Sequence, residues 1–140
     1  MLEEVQLDIV SAEGSIFSDP VKKVTVTGSE GVLEVFPGHM PLLTPLRPGY
    51  VRIVSHLDKI QVFYISGGFL EIQPEIVTVL ADTAIHAEDL DQQAALAAKK
   101  RAEQMLQGKQ IPAKEARQEL VIALAQLRVI RMLRKHSKQI

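Results

Sequence analysis

The most constraining feature of this chain is a change of periodicity near residue 84. Between Val5 and Asp82 the apolar residues recur mostly with a period of two, in short runs rich in Val and Ile. The runs are VQLDIV, KVTVTG, GVLEVF, YVRIV, KIQVFYI, FLEIQ and IVTVLA. No helix-length segment separates them to form parallel crossovers. The pattern therefore predicts an all-β antiparallel sandwich or barrel of roughly eight to ten strands.

Turn-forming residues separate these runs. They lie at Glu13-Gly14, Asp19-Pro20, Gly28 to Gly31, Pro37-Gly38, Pro48-Gly49, Leu57-Asp58, Gly67-Gly68 and Gln73-Pro74-Glu75. The densest interruption is VFPGHMPLLTPLRPGY, with four prolines and two glycines. Because proline fixes φ and lacks an amide donor, we expect a stiff loop between Pro37 and Pro48 that does not join the sheet.

After Ala84 the β-branched residues nearly disappear and good helix formers dominate. The segment EDLDQQAALAAKKRAEQMLQG predicts one helix, in which Asp89 and Gln92 resemble a capping box and Gly108 ends the helix. The segment AKEARQELVIALAQLRVIRMLRKH predicts a second helix, with Pro112 at its first position. The short link from Gly108 to Ile111 predicts an antiparallel helical hairpin.

The predicted contact between the two helices is rich in alanine. The second helix offers the stripe Ala116, Leu120, Ala123, Leu127 and Ile130, and the first offers mainly Ala94, Ala97, Ala98 and Ala102. An alanine buries much less apolar surface than a leucine, so the helices should associate weakly. This composition is compatible with a detachable helix and also with a small, stable hairpin.

Charge is distributed unevenly along the chain. Residues 1–98 hold 5 Lys/Arg and 14 Asp/Glu, which gives a net charge of −9. Residues 99–140 hold 11 Lys/Arg and 3 Asp/Glu, which gives a net charge of +8. Two parts of opposite charge suggest two units with different partners. The absence of cysteine fits a reducing compartment, and the N-terminal sequence and hydropathy lead us to expect neither a signal peptide nor a membrane span.

Candidate catalytic, metal and nucleic-acid sites find little support in the sequence. His39 lies among Pro, Gly, Met and Leu without a nucleophile or carboxylate nearby, so we expect a structural or contact role. The histidines show no metal-ligand spacing, and the Gly28 to Gly31 segment reads as a hairpin turn because no Gly-Lys-Ser/Thr follows it. A carbohydrate-type enzyme would need paired carboxylates, but no spacing supports Glu34, Glu71 and Asp82. A β-barrel nucleic-acid binder would need a basic or aromatic sheet surface, whereas this half is acidic.

Six segments of the chain are VTGSEG, PGHMPLLT, RPGYVRI, SGGFLEIQP, TVLADTA and AQLRVI. In their order and spacing, from about Val5 to Ile130, they resemble the epsilon subunits of bacterial F-type ATP synthases. The resemblance implies a rotor-stalk subunit without a catalytic site of its own. A sandwich of about ten strands, residues 1–86, would bind the gamma subunit and the c-ring. Two helices, residues 87–140, would switch between a folded hairpin and an extended form that impedes ATP hydrolysis. The expected location is peripheral, on the cytoplasmic face of the bacterial inner membrane, without direct membrane insertion.

The resemblance also implies contact residues. The c-ring contacts would be Glu30, Gly31, Val32, His39, Met40, Pro41 and Leu42. In the inhibited state, where the helices meet the beta and alpha subunits, the basic residues expected to face an acidic segment of beta are Lys114, Arg117, Arg128, Arg131 and Arg134.

Some members of the resembled family bind ATP through the pattern Ile/Leu-Asp-x-x-Arg-Ala at the start of the first helix. Leu90, Asp91 and Ala95 match this pattern, and Arg101 is a further basic position. Ala94 stands where the arginine belongs. Loss of a guanidinium removes charge-assisted hydrogen bonds worth about 1.5 to 3 kcal/mol each, so we expect weak or absent ATP binding and no other cofactor.

Overall fold

The computed structural model describes residues 3–108 and 113–138, with side chains described up to residue 134. The chain forms two compact units, Met1–His86 and Ala87–Ile140. The first contains strands β1 Val5–Ser11, β2 Gly14–Gly28, β3 Gly31–Val35, β4 Leu42–Ser55, β5 Ile60–Ile65, β6 Gly68–Ile72, β7 Ile76–Ala81 and β8 Ala84–His86. The second contains a 3-10 turn, Ala87–Asp89, and helices α1 Gln92–Gly108 and α2 Ala113–Lys138. The predicted β-sandwich followed by an α-helical hairpin is confirmed.

The eight strands form one continuous sheet that folds into two halves, because β2 and β4 are long enough to serve in both. The first half contains the start of β2, β1, β7, β6 and the start of β4, and the second contains β3, the end of β2, the end of β4, β5 and β8. The described residues thus form eight strands rather than the expected ten or so, and because β2 and β4 each contribute to both halves, each half contains five strand segments.

Alternation of side chains along the strands places the apolar set between the two halves. The fully buried side chains of this core include Leu7, Ile9, Val24, Val26, Val51, Ile53, Phe63, Ile65, Leu70 and Val79. Phe17 and Phe63 meet edge to face, with ring centroids 6.1 Å apart. The first unit thus has a hydrophobic core of its own.

Several predicted turns are instead parts of strands. Asp19-Pro20 lies inside β2, and Pro48-Gly49 lies inside β4. The expected loop from Pro37 to Pro48 is shorter than predicted, because residues 42–46 pair with β6. Proline is tolerated at the edge of a sheet half, where its missing donor would face away from the neighbouring strand. The Pro45 carbonyl accepts a hydrogen bond from the Ser29 amide at 3.0 Å.

The prediction of purely antiparallel pairing is wrong at one position. β1 and β7 pair in parallel, with Leu7 opposite Val77 and Ile9 opposite Val79. A parallel neighbour requires a long connection rather than a helix as such, and here β2 to β6 supply that connection. The short strand β8 pairs with β5 and was also not predicted.

The helical unit is an antiparallel hairpin, as predicted. The Arg134 side chain near the end of α2 donates a hydrogen bond to the Gln92 side chain at the start of α1. Gly108 is the last described residue of α1, so the predicted helix stop there is not tested, and the predicted link and Pro112 lie partly or wholly outside the described residues. The predicted capping box at Asp89 is wrong: Asp89 belongs to the 3-10 turn, and Asp91 caps α1 by accepting a hydrogen bond from the Ala94 amide at 3.1 Å.

Candidate functional site

The expected c-ring contacts lie along one edge of the sandwich. Gly31 and Val32 begin β3, which pairs only with β2 among the described strands, and Glu30 lies in the turn before it. His39, Met40 and Pro41 lie in the loop that follows β3, and Leu42 begins β4. The two groups lie at opposite ends of β3, whose five residues span about 16 Å. The structure therefore arranges these residues as an elongated edge rather than a single tip.

The loop between β3 and β4 is closed by its own backbone and by His39. The His39 amide donates to the Phe36 carbonyl at 3.1 Å, and Nδ1 of its ring lies 2.7 Å from the Met40 carbonyl oxygen. A carbonyl only accepts hydrogen bonds, so Nδ1 carries the proton and Nε2 remains available to a partner. Met40 beside it is 78% exposed. Phe36, at the start of the loop, is 52% exposed as well. The loop therefore presents one polar group and two large apolar side chains.

A second surface, which the sequence analysis missed, crosses the outer face of the first sheet half. Val10 lies beside Leu80, Leu80 beside Phe69, and Phe69 beside Pro45, on four adjacent strands. Leu80 is 47% and Phe69 is 50% exposed. We name these four residues the apolar row. The available signal was the apolar doublets at the ends of β6 and β7, since consecutive apolar residues in a strand must point to opposite faces.

The seam between the helices is built from alanines at heptad spacing. Ala95 and Ala102 of α1 are buried, as are Ala116, Ala123 and Ile130 of α2. The α2 stripe agrees with the prediction, and its two leucines, Leu120 and Leu127, are half-buried.

On α1 the predicted seam is confirmed at Ala102, which is buried, and Ala98 is half-buried, but the other two predicted positions are wrong. Ala94 and Ala97 are exposed, and Ala95, which was not assigned to the seam, is buried. Four alanines within five positions permit more than one helical phase, so composition alone could not choose between them.

The five basic residues expected to contact beta are all exposed on α2: Lys114, Arg117, Arg128, Arg131 and Arg134. They form two groups. Arg131 and Arg134 border a groove of about 180 Å³ toward α1, opposite Lys99. Lys114, Arg117 and Arg128 lie further round the helix, at angles of about 100° to 160° from the seam. The hairpin therefore holds part of the basic set next to α1 and leaves the rest facing outward.

The candidate nucleotide residues do not form one site. Asp91 is engaged as the cap of α1, and Arg101 lies ten residues further along, about 15 Å in a helix. Arg101 borders a separate open groove of about 420 Å³, together with Glu119 and Gln126. Of the described residues lining this groove, Arg101 is the one cation and Glu119 the one anion. A groove without net positive charge is poorly suited to a triphosphate.

Among the described residues, no group of three or more His, Asp or Glu side chains is placed to hold a metal ion. Within the same residues, neither helix is sufficiently apolar over a sufficient length to cross a bilayer. The described residues present three candidate binding surfaces: the elongated edge, the apolar row and the basic residues of α2.

Residues 4–87 match the family described as ATP synthase, Delta/Epsilon chain, beta-sandwich domain. The chain belongs to this family. The match spans more than half of the chain and coincides closely with its first compact unit, Met1–His86. Membership of the delta/epsilon family agrees with the resemblance found in the sequence.

Solved structures share the fold of this delta/epsilon chain. A chain of the mitochondrial ATP synthase of Euglena gracilis, in a cryo-EM structure of OSCP, F1 and c-ring in rotational state 1, aligns with a TM-score of 0.78 and 22% identity, covering 88% of this chain and 78% of that chain. A chain from the central stalk and c-ring structure of the Tetrahymena thermophila mitochondrial ATP synthase aligns with a TM-score of 0.59 and 14% identity, covering 90% of this chain and 96% of that chain. Both alignments cover more than the sandwich alone, so they include helical residues.

Proposed function

We propose that this chain is the epsilon subunit of a bacterial F-type ATP synthase: a non-catalytic central-stalk subunit that couples gamma to the c-ring during proton-driven ATP synthesis. The observation that carries the proposal is the delta/epsilon family match over residues 4–87. The central-stalk and c-ring assemblies named for the structural relatives support it. With the c-ring as its partner, the subunit would be peripheral, at the cytoplasmic face of the inner membrane.

The sandwich offers a different surface for each partner. The elongated edge, with Glu30 and Met40 near its two ends, is the surface we assign to the polar loops of the c-ring. We assign the apolar row to gamma, because a row of exposed apolar residues on adjacent strands is typical of a lasting protein interface. One subunit that binds both partners through one rigid core can transmit torque between them.

Matched substitutions separate the two surfaces. Phe69→Ser should weaken binding to gamma by roughly tenfold or more, since it removes a half-exposed aromatic contact. Leu57→Ser is the control, because Leu57 is 64% exposed and lies outside both surfaces. Equal affinities of the two variants for gamma would contradict the assignment of the apolar row.

The ring contact is tested by replacing His39 and Met40 with alanine. Attachment of the complex with gamma to ring-containing membranes should fall while the isolated fold remains intact. If attachment is unchanged and the isolated fold is disrupted, these residues serve packing instead.

We further propose that the hairpin inhibits ATP hydrolysis when it opens. Its alanine seam supports this, because such a seam contributes little apolar burial and lets the helices separate at modest cost. The separated α2 would present its basic residues to the acidic segment of beta, and to alpha nearby. Deleting everything after His86 should preserve assembly with gamma and raise ATP hydrolysis. Unchanged hydrolysis in the assembled enzyme would contradict the inhibitory role.

ATP itself is not proposed as a regulator of this hairpin. Ala94 replaces the arginine that the sequence pattern requires, and the groove at Arg101 also carries Glu119. The subunit would then open and close according to its partners and the state of the enzyme rather than by binding nucleotide.

A further inference from the structure

The segment RPGY, Arg47 to Tyr50, lies where β4 changes partners. Before it, Leu42–Leu46 pair with β6; within and after it, Gly49–Val54 pair with β5. At this point β4 passes beside the tip of the β2–β3 hairpin, where Gly28 pairs with Leu46. We name residues 27–32 the hairpin tip, because they end β2 and begin the edge assigned above to the c-ring.

Three consecutive residues of the hairpin tip are each bound by residues 45–50 of β4. The Ser29 amide donates to the Pro45 carbonyl at 3.0 Å. Arg47 Nε donates to the Gly28 carbonyl at 3.2 Å. The Tyr50 amide donates to Thr27 Oγ1 at 3.2 Å. The tip is therefore attached to the sandwich by contacts beyond its own ladder with β3.

Close packing reinforces these bonds. A Cβ at Gly49 would lie 2.4 Å from Thr27 Oγ1 and 2.6 Å from Thr27 Cβ, so only glycine lets the two strands approach this closely. A Cβ at Gly28 would lie 2.9 Å from the Gly31 carbonyl oxygen. Both positions at the base of the tip thus require glycine because a larger side chain would collide with neighbouring atoms, and not because the backbone must be flexible.

Arg47 differs from the other anchors because its side chain is exposed and contributes nothing to the core. Its guanidinium supplies a charged donor to the last carbonyl of β2, at the base of the turn that carries Glu30. We propose that Arg47 is a positioning residue: it clamps the hairpin tip onto β4 and so fixes the direction in which Glu30, Gly31 and Val32 meet the c-ring. The clamp itself is a property of this chain, and its effect on ring attachment rests on the proposed function.

The clamp is tested first on the isolated chain, without any partner. Arg47→Ala should speed amide hydrogen exchange in residues 28–31 by about threefold to tenfold, the range expected for loss of a partly exposed charged hydrogen bond. Arg47→Lys retains the charge but not the planar guanidinium, and should give an intermediate rate. Lys59→Ala removes a cation from the same unit away from the tip, and should leave this exchange unchanged. Unchanged exchange in Arg47→Ala overturns the clamp.

A double-mutant cycle then tests positioning. In attachment of the subunit with gamma to ring-containing membranes, Arg47→Ala and Glu30→Ala should each reduce affinity, and the double variant should lose no more than the stronger single variant. Losses that multiply independently, or full attachment of Arg47→Ala, overturn the positioning role. If Glu30→Ala and His39→Ala attach normally, the ring contact of the proposed function fails, while the exchange measurement still decides the clamp.

Discussion

Replacing Ala102 by glycine tests how weakly the two helices are held together. Ala102 lies in the seam with 0% of its surface exposed, whereas Ala97, on the same helix, is exposed. Glycine lowers helix stability by about 1 kcal/mol at either position, because it loses more backbone entropy than alanine. Only Ala102→Gly also removes a buried methyl group, which costs about 0.8 kcal/mol more. The difference in stability between the Ala102→Gly and Ala97→Gly variants therefore measures the contribution of the seam.

The difference of about 0.8 kcal/mol corresponds to a fourfold change in an equilibrium constant. Amide hydrogen exchange of α1 in the full-length chain should be about fourfold faster in Ala102→Gly than in Ala97→Gly. In the assembled enzyme, the looser hairpin should also give slower ATP hydrolysis than the control. If Ala97→Gly is as destabilising as Ala102→Gly, or more so, the seam does not run through Ala102 and the reasoning fails.

Three further predictions concern single positions. Gly68 has φ +140°, and a Cβ there would lie 2.0 Å from the Leu80 carbonyl oxygen, so Gly68→Ala should lower the free energy of unfolding in urea by more than about 3 kcal/mol. Gly38→Ala, at φ +87° in open space, should lower it by only about 1 to 2 kcal/mol. Similar losses at both glycines would refute the steric argument. Asp91→Ala should lower the stability of α1 by about 1 kcal/mol through loss of its cap, as followed by far-UV circular dichroism, and an unchanged melting curve would argue against the cap. Calorimetry with ATP should give no binding heat below millimolar concentration, and submillimolar binding would overturn the inference drawn from Ala94.

The sequence predicted the parts of the fold in which one physical rule acts alone. The alternating runs became strands because one face of each is buried. The segment rich in good helix formers became α1. The missed segments are those in which two rules compete. Residues 14–20 and 42–48 contain turn-forming prolines, yet they lie at edges of the sheet halves, where a missing donor is tolerated.

The candidate surfaces were predicted less completely than the fold. Sequence segments suggested the edge around Glu30 and His39, but only the structure shows that β3 separates these residues. The apolar row combines residues from four strands, and no local pattern reveals which outward-facing residues become neighbours after pairing. The local sequence around Arg47 predicts no role for this residue, because its partner, the Gly28 carbonyl, is nineteen residues away.

The proposed inhibition of hydrolysis requires that the hairpin open. The chain has no cysteine, so in the isolated subunit cysteines placed at Gln92 and Arg134, whose side chains meet across the two helices, can be joined uniquely by a short thiol crosslinker before assembly. In the assembled enzyme, joining them should raise ATP hydrolysis above that of the same variant left unjoined, to the rate of the enzyme whose subunit ends at His86. A joined enzyme that hydrolyses ATP as slowly as the unjoined one would contradict the claim.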